Sequence, residues 1–184
     1  MKTTTLIMTL ALAAGLAAAG TAQAAGKIYV GGKVGIVDAD ISGFDQAVNI
    51  GVYGGYNLLG KNSHFAADLK GGSLAAEGDV SLSIRKGDAG VSGDWDMTSV
   101  AVYAAYRHPL TDYFYLKGKL GLVRYEIDVD GIPSGLVAGR LGTETALAAG
   151  FGAGWKVGPG SLEAEITTYE GDVLILSAGF HMNF

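Results

Sequence analysis

Three histidines, eighteen acids and thirteen bases are the side chains of this 184-residue sequence that could do chemistry, and it has no cysteine. His64, His108 and His181 lie far apart, and none has a Ser or Asp at a spacing that suggests a nucleophile and its base. Gly150-Phe-Gly-Ala-Gly154 looks like a phosphate loop only superficially, because it sits in an alternating pattern and no Lys-Ser or Lys-Thr follows it. Asp94-Trp95-Asp96 could touch a cation, although a lone acidic pair in a loop is commonly just solvated. No catalytic, cofactor or metal site is therefore expected. Another set remains: Lys33, Lys70 and Lys119 against Asp68, Glu163 and Glu165, three cations and three acids. Each shares the parity of the small and polar residues around it. The chemistry such a set supports is mutual pairing, because a charge buried alone costs several kcal/mol or more.

Period-two alternation defines the elements that carry these residues. Ile28–Val37, Ala47–Asn57, His64–Gly72, Ser99–Arg107, Phe114–Tyr125, Thr143–Val157, Ser161–Thr168 and Leu174–Phe184 each set an aliphatic row against a small or polar one. Eight strands are thus expected. In Leu174–Phe184 the apolar row is Leu174, Leu176, Ala178, Phe180, Met182 and Phe184. About eleven residues is the length a tilted strand needs to cross a bilayer. Leu176, Ala178, Phe180, Met182 and Phe184 resemble the C-terminal assembly signal of bacterial outer-membrane barrels. At the other end, Lys2, the apolar run Leu6–Ala19 and Ala22-Gln23-Ala24 read as a secretory signal peptide over residues 1–24, leaving 25–184 as one barrel domain. Lacking cysteine, an exported chain of this kind excludes a disulfide framework.

If the aliphatic row faces lipid, aromatics should gather at the membrane boundary. Tyr56, Phe65, Tyr106, Phe114, Trp155 and Phe184 all carry that parity and lie beside short turns. Phe44 and Trp95 are the only candidates for a second girdle, and both read as loop residues. The short connections Asn57–Ser63, His108–Tyr113 and Val157–Ser161 alternate with the longer Asp38–Gln46, Ser73–Thr98 and Glu126–Gly142, with Tyr169–Asp172 as a short fourth member on the longer side. That longer side is acidic, with Glu77 and Asp79 counted among its acids, whereas Lys27, Lys61, Arg107, Lys117 and Lys156 gather near the short turns.

Tyr29-Val-Gly-Gly-Lys33-Val-Gly, Tyr53-Gly-Gly-Tyr56, Asp68, Pro109-Leu-Thr-Asp112 and Lys119-Leu-Gly121 resemble the eight-stranded barrels of the outer membrane protein A transmembrane-domain type. The resemblance covers essentially the whole of residues 25–184. It implies an all-β fold, a transmembrane antiparallel up-and-down β-barrel in the outer membrane of a Gram-negative-type envelope, with short turns in the periplasm. The partners it implies are outer-membrane lipid and lipopolysaccharide, and the barrel-assembly machinery acting through the last strand. A monomer is expected. No nucleic acid is expected as a partner, since an acidic outer face repels polyanions.

Three function classes follow: a structural or surface-interaction barrel with an unidentified ligand, a small porin-like channel, and a soluble lipocalin-like binder with its faces reversed. A lipid-modifying enzyme is a further alternative that no motif supports. Eight strands leave an interior just wide enough for side chains, so paired charges could plug it or line an ion path. Lys33 and Lys119 are expected to pair with Glu163, Glu165 or Asp68. Deleting Phe184 is expected to leave the protein in the periplasm or degraded. Fractionation followed by blotting checks this, and normal outer-membrane levels of the deletion would contradict the reading.

Overall fold

Alternation becomes architecture only when each strand's edges find partners. The structure, a computed structural model, describes residues 28–59, 71–90, 93–131 and 142–184. Nine strand segments are present among them: β1 (Ile28–Asp38), β2 (Ala47–Leu59), β3 (Ser73–Arg85), β4 (Gly87–Asp88), β5 (Asp94–Pro109), β6 (Phe114–Asp130), β7 (Gly142–Val157), β8 (Gly160–Tyr169) and β9 (Val173–Asn183). All neighbours are antiparallel, in the order β3-β2-β1-β9-β8-β7-β6-β5-β4, and pairing of β3 with β5 closes the ring. The two-residue β4 extends β3 past Lys86 and also pairs with β5, so the wall has eight staves. Closure leaves no edge in the bilayer zone, which is what a membrane demands of a sheet. β1 and β9 are neighbours, so the described ends of the chain lie together at one end of the barrel, called here the terminal end.

The faces follow the alternation. Val102 and Leu120 are each 62% exposed and Phe151 is 61% exposed, while Tyr29, Tyr103, Lys117 and Glu163 are buried. A continuous belt of exposed Val, Ile, Leu and Phe has no place in water. It is the lipid-facing surface of a transmembrane barrel, and it excludes the reversed, lipocalin-like arrangement.

The third stave differs from expectation. It is Ser73–Arg85, expected as the start of a long loop; the expected strand His64–Gly72 lies almost wholly outside the described residues, where nothing is assigned to positions 60–70. Both segments alternate. In β3, however, Leu74, Ala76, Gly78, Val80, Leu82 and Ile84 form the longer outward row, set against Ala75, Glu77, Asp79, Ser81 and Ser83. Asp68, Lys70 and Phe65 are among the undescribed positions. β5, β6 and β7 also run further than alternation suggested, which places Asp94, Asp96, Glu126, Asp128 and Asp130 on strands.

The interior is divided along its axis. Toward the far end it is apolar: Val37, Met97, Val123, Ile127, Val173 and Ile175 pack with Tyr103, Tyr125 and Tyr169. Trp95 is central to this core. It lies on β5, is fully buried and donates its Nε1–H to the Asp45 carbonyl at 2.7 Å. Phe44, from the β1–β2 connection, packs on it with ring centroids 5.9 Å apart. Trp95 therefore plugs the far mouth and belongs to no lipid-facing girdle; the extra length of β5 gives it inward parity. Trp95→Ala is expected to lower stability by about 3–5 kcal/mol, the cost of emptying a packed aromatic site. Urea unfolding in lipid vesicles measures this, and an unchanged midpoint would contradict the plug.

Candidate functional site

Toward the terminal end the interior is ionic. Arg107 on β5 and Lys117 on β6 are direct cross-strand partners, both pointing inward. Like charges placed directly opposite destabilise a sheet unless something comes between them. Two carboxylates do so. Glu77 of β3 accepts from Arg107 Nη2 at 3.1 Å and from Lys117 Nζ at 3.0 Å. Glu163 of β8 accepts from Arg107 Nε at 2.9 Å and from Lys117 Nζ at 3.0 Å. β3 and β8 lie four staves apart in the ring, so these acids come from opposite walls. The four side chains form a brace across the lumen.

Tyrosines complete it. Tyr29 donates to Glu77 at 2.7 Å and Tyr115 to Glu163 at 2.6 Å. Arg107 donates Nη1 to Tyr29 Oη at 3.1 Å and lies 4.4 Å from that ring's centroid. Lys117 also reaches Glu165 at 3.3 Å. Lys119 Nζ lies 2.9 Å from Glu165 Oε2 as an ion pair lacking hydrogen-bond alignment, and 4.5 Å from the Tyr103 ring centroid. Lys33 pairs with Asp79. Among the described residues this interior holds four bases, Lys33, Arg107, Lys117 and Lys119, against four acids, Glu77, Asp79, Glu163 and Glu165.

Of the residues expected here, Lys119 meets Glu165, and Glu163 sits at the centre of the brace, whereas Lys33 turns to Asp79. Lys33 and Glu163 both stand opposite Gly179, so register would permit their pairing. Two facts direct Lys33 elsewhere. Glu163 is already held by Arg107, Lys117 and Tyr115. Gly51, beside Lys33, leaves a path toward β3; a Cβ there would stand 3.1 Å from Lys33 Cε. Gly150 does the same for Lys119, where a Cβ would stand 2.7 Å from its Cε. Inward glycines are thus the channels over which long side chains lie.

Sequence reasoning missed Glu77 and Asp79 by counting them with a loop, and missed Arg107 and Lys117 by counting them with the turns. The inward parity shared by Arg107 and Lys117 was the available signal. The aromatics expected as a girdle are placed as follows. Tyr56, Trp155 and Phe184 are exposed at the terminal end, Phe114 pairs directly with Trp155, Tyr106 is half-buried, and Phe65 is undescribed. Leu176, Phe180 and Met182 are exposed on the outer face of β9, and Ala178 has the same parity.

Among the described residues no hydrogen-bonded Ser–His pair forms. Ser161 and His181 are cross-strand partners, yet His181 Nδ1 lies 3.2 Å from Tyr53 Oη and 3.8 Å from Glu163, and no hydrogen bond between Ser161 and His181 is found among the described residues. No group of acids and histidines among the described residues could hold a metal ion.

Among the described residues the far rim carries most of the remaining charge. Asp94 opposes Asp130 and Asp96 opposes Asp128 across β5 and β6. Lys86 bridges this repulsion, lying 2.6 Å from Asp130 and 2.9 Å from Asp96, and those hydrogen bonds hold its ammonium above the usual lysine range.

Removing one member of the brace leaves its partners charged and buried, which can cost roughly 3–5 kcal/mol. Glu163→Gln and Lys117→Met are each expected to destabilise strongly. The double variant should cost less than the two singles together, with a coupling of about 0.5–3 kcal/mol. A double-mutant cycle by urea unfolding in lipid measures this, and strict additivity would contradict the brace.

The outer membrane protein beta-barrel domain family matches residues 7–171. No curated protein sequence matches the chain. Among solved structures, the attachment invasion locus protein Ail of Yersinia pestis is similar, with a TM-score of 0.52 at 18% identity, covering 86% of this chain and 97% of that one. Neisserial surface protein A is similar with a TM-score of 0.51 at 20% identity, covering 85% and 97%. A de novo designed transmembrane β-barrel is similar at 0.51 and 13% identity, covering 88% and 98%. At these identities the likeness to solved structures shows the fold; the family match, which spans most of the sequence, shows that the chain belongs to the outer membrane protein beta-barrel domain family and resides in the outer membrane.

Proposed function

We propose that this barrel is a closed, non-catalytic outer-membrane protein with a structural or surface-interaction role. The observation that carries the proposal is the filled interior. The ionic brace occupies the lumen toward the terminal end and the Trp95 core occupies it toward the far end. Ions would have to break several charge-assisted bonds and then cross an apolar plug.

In this reading residues 1–24 are removed on export. The assembly machinery reads the outward row of β9 from Leu176 to Phe184, and the protein works as a monomer. The terminal end faces the periplasm, in keeping with the short turns at Leu110–Tyr113 and Gly158–Pro159, and its exposed aromatics sit at the headgroup level. The far end faces outward. Among the described residues that end carries twelve acids, from Asp38 to Asp172, against Arg85, Lys86 and Arg124. Ail has also been solved with the heparin analogue sucrose octasulfate. The acidic rim here disfavours such polyanions, and suits a cationic partner or divalent cations shared with lipopolysaccharide phosphates.

Planar-bilayer recording on refolded protein tests the proposal. No steady conductance is expected; a large, steady open level in the unmutated protein would overturn it in favour of a small channel.

A further inference from the structure

At the terminal end, just beyond the brace, lies a cavity of about 190 Å³ whose wall includes Arg107, Lys156, Ser73, Ser161, His181 and Asn183. A water molecule takes up about 30 Å³ in the liquid, so this space exceeds what one bridging water needs. Among the described residues its wall contains two bases and no acid. Asp112, in the neighbouring turn, is exposed and not part of the wall.

We propose that this vestibule binds a small oxyanion, a carboxylate or a phosphate, through Arg107 at its floor and Lys156 at its rim. Arg107 is held rigidly and is only partly spent. Its guanidinium makes one hydrogen bond from each nitrogen, to Glu163, Tyr29 and Glu77. A guanidinium has five N–H groups, so one on each Nη is left over. Among the described residues the charges deeper in the lumen balance four against four. Lys156 is the surplus: it is exposed and has no ion-pair partner among the described residues. Site and surplus therefore ask for one negative charge. The hydroxyls of Ser73 and Ser161 add neutral donors, and ionised acceptors make the stronger bonds to such a donor set. Pre-orientation by Glu77, Glu163 and Tyr29 means little side-chain entropy is lost when the ligand arrives.

Placement of this site toward the periplasm rests on the orientation proposed above; binding itself does not, so the two can fail separately. The test uses the full chain refolded in octyl glucoside, which carries no phosphate. Sodium phosphate and sodium acetate are titrated against sodium chloride at matched ionic strength, following the Arg107 Nε–H resonance by NMR. A saturable shift with phosphate or acetate, absent with chloride, is expected. Lys156→Gln should weaken it roughly two- to fivefold, the range for one exposed ion pair, and because Lys156 is solvent-exposed its loss spares the fold. Ser161→Ala provides a second variant, expected to weaken binding as well. Phosphatidylglycerol nanodiscs without added anion distinguish the sources. A resonance already displaced there assigns a lipid headgroup phosphate, and one that moves only on titration assigns a free anion. A shift that never saturates, that chloride reproduces, or that keeps its affinity in Lys156→Gln would overturn the proposal.

Discussion

Two positive charges stand face to face inside this barrel, and the rest of the interior is arranged around that fact. Arg107 and Lys117 are direct cross-strand neighbours. They are tolerable only because Glu77 and Glu163 reach them from opposite walls. Such a brace depends on the register of every stave between. A one-residue slip of β3 or β8 would turn its carboxylate to the lipid side and leave two buried cations to share the single brace acid on the opposite wall. Buried ion pairs are weak evidence for net stability but strong evidence of interdependence, and here the interdependence runs across the full width of the barrel.

A membrane barrel cannot use its outer face as soluble proteins use a core. Lipid is as apolar as the side chains that meet it, so the exposed Val102, Leu120 and Phe151 contribute location rather than cohesion. Cohesion must come from the closed hydrogen-bond ladder and from what fills the inside. This chain fills it in two ways. The half near the termini is polar, its four bases each paired with an acid and tyrosine hydroxyls adding further bonds to two of the carboxylates. The far half is a small apolar core, sealed where Phe44 meets Trp95 and the indole N–H finds the Asp45 carbonyl. Glycine serves both the wall and its contents. At Gly51 and Gly150 the missing side chain is the space through which a lysine stem passes.

Local alternation was enough to read which face of seven staves meets lipid, since parity is a property of each strand by itself. It was not enough to choose the third stave. His64–Gly72 and Ser73–Arg85 alternate equally well at short range, and only pairing with β2 and β5 distinguishes them. That error displaced Glu77 and Asp79 from the lumen to a loop and left the brace without half its acids. Trp95 was misplaced for a related reason: β5 begins at Asp94 rather than at the Ser99 that alternation suggested, and a strand's end is set by its neighbour's length, which no local pattern records. Lys33 shows the remaining limit. Its parity was legible, but its choice of Asp79 over Glu163 depends on which carboxylate other residues had already taken, a fact of the assembled interior.

The central claim is that Lys117 is held, in the bilayer, between carboxylates from opposite walls. Solid-state NMR on the protein in lipid bilayers tests it most directly, with Lys labelled at 15Nζ and Glu at 13Cδ. Dipolar dephasing of the Lys117 nitrogen by both Glu77 and Glu163, each assigned by its Gln variant, is the predicted result. A Lys117 ammonium that exchanges freely with water and shows no dephasing from either carboxylate would contradict the account.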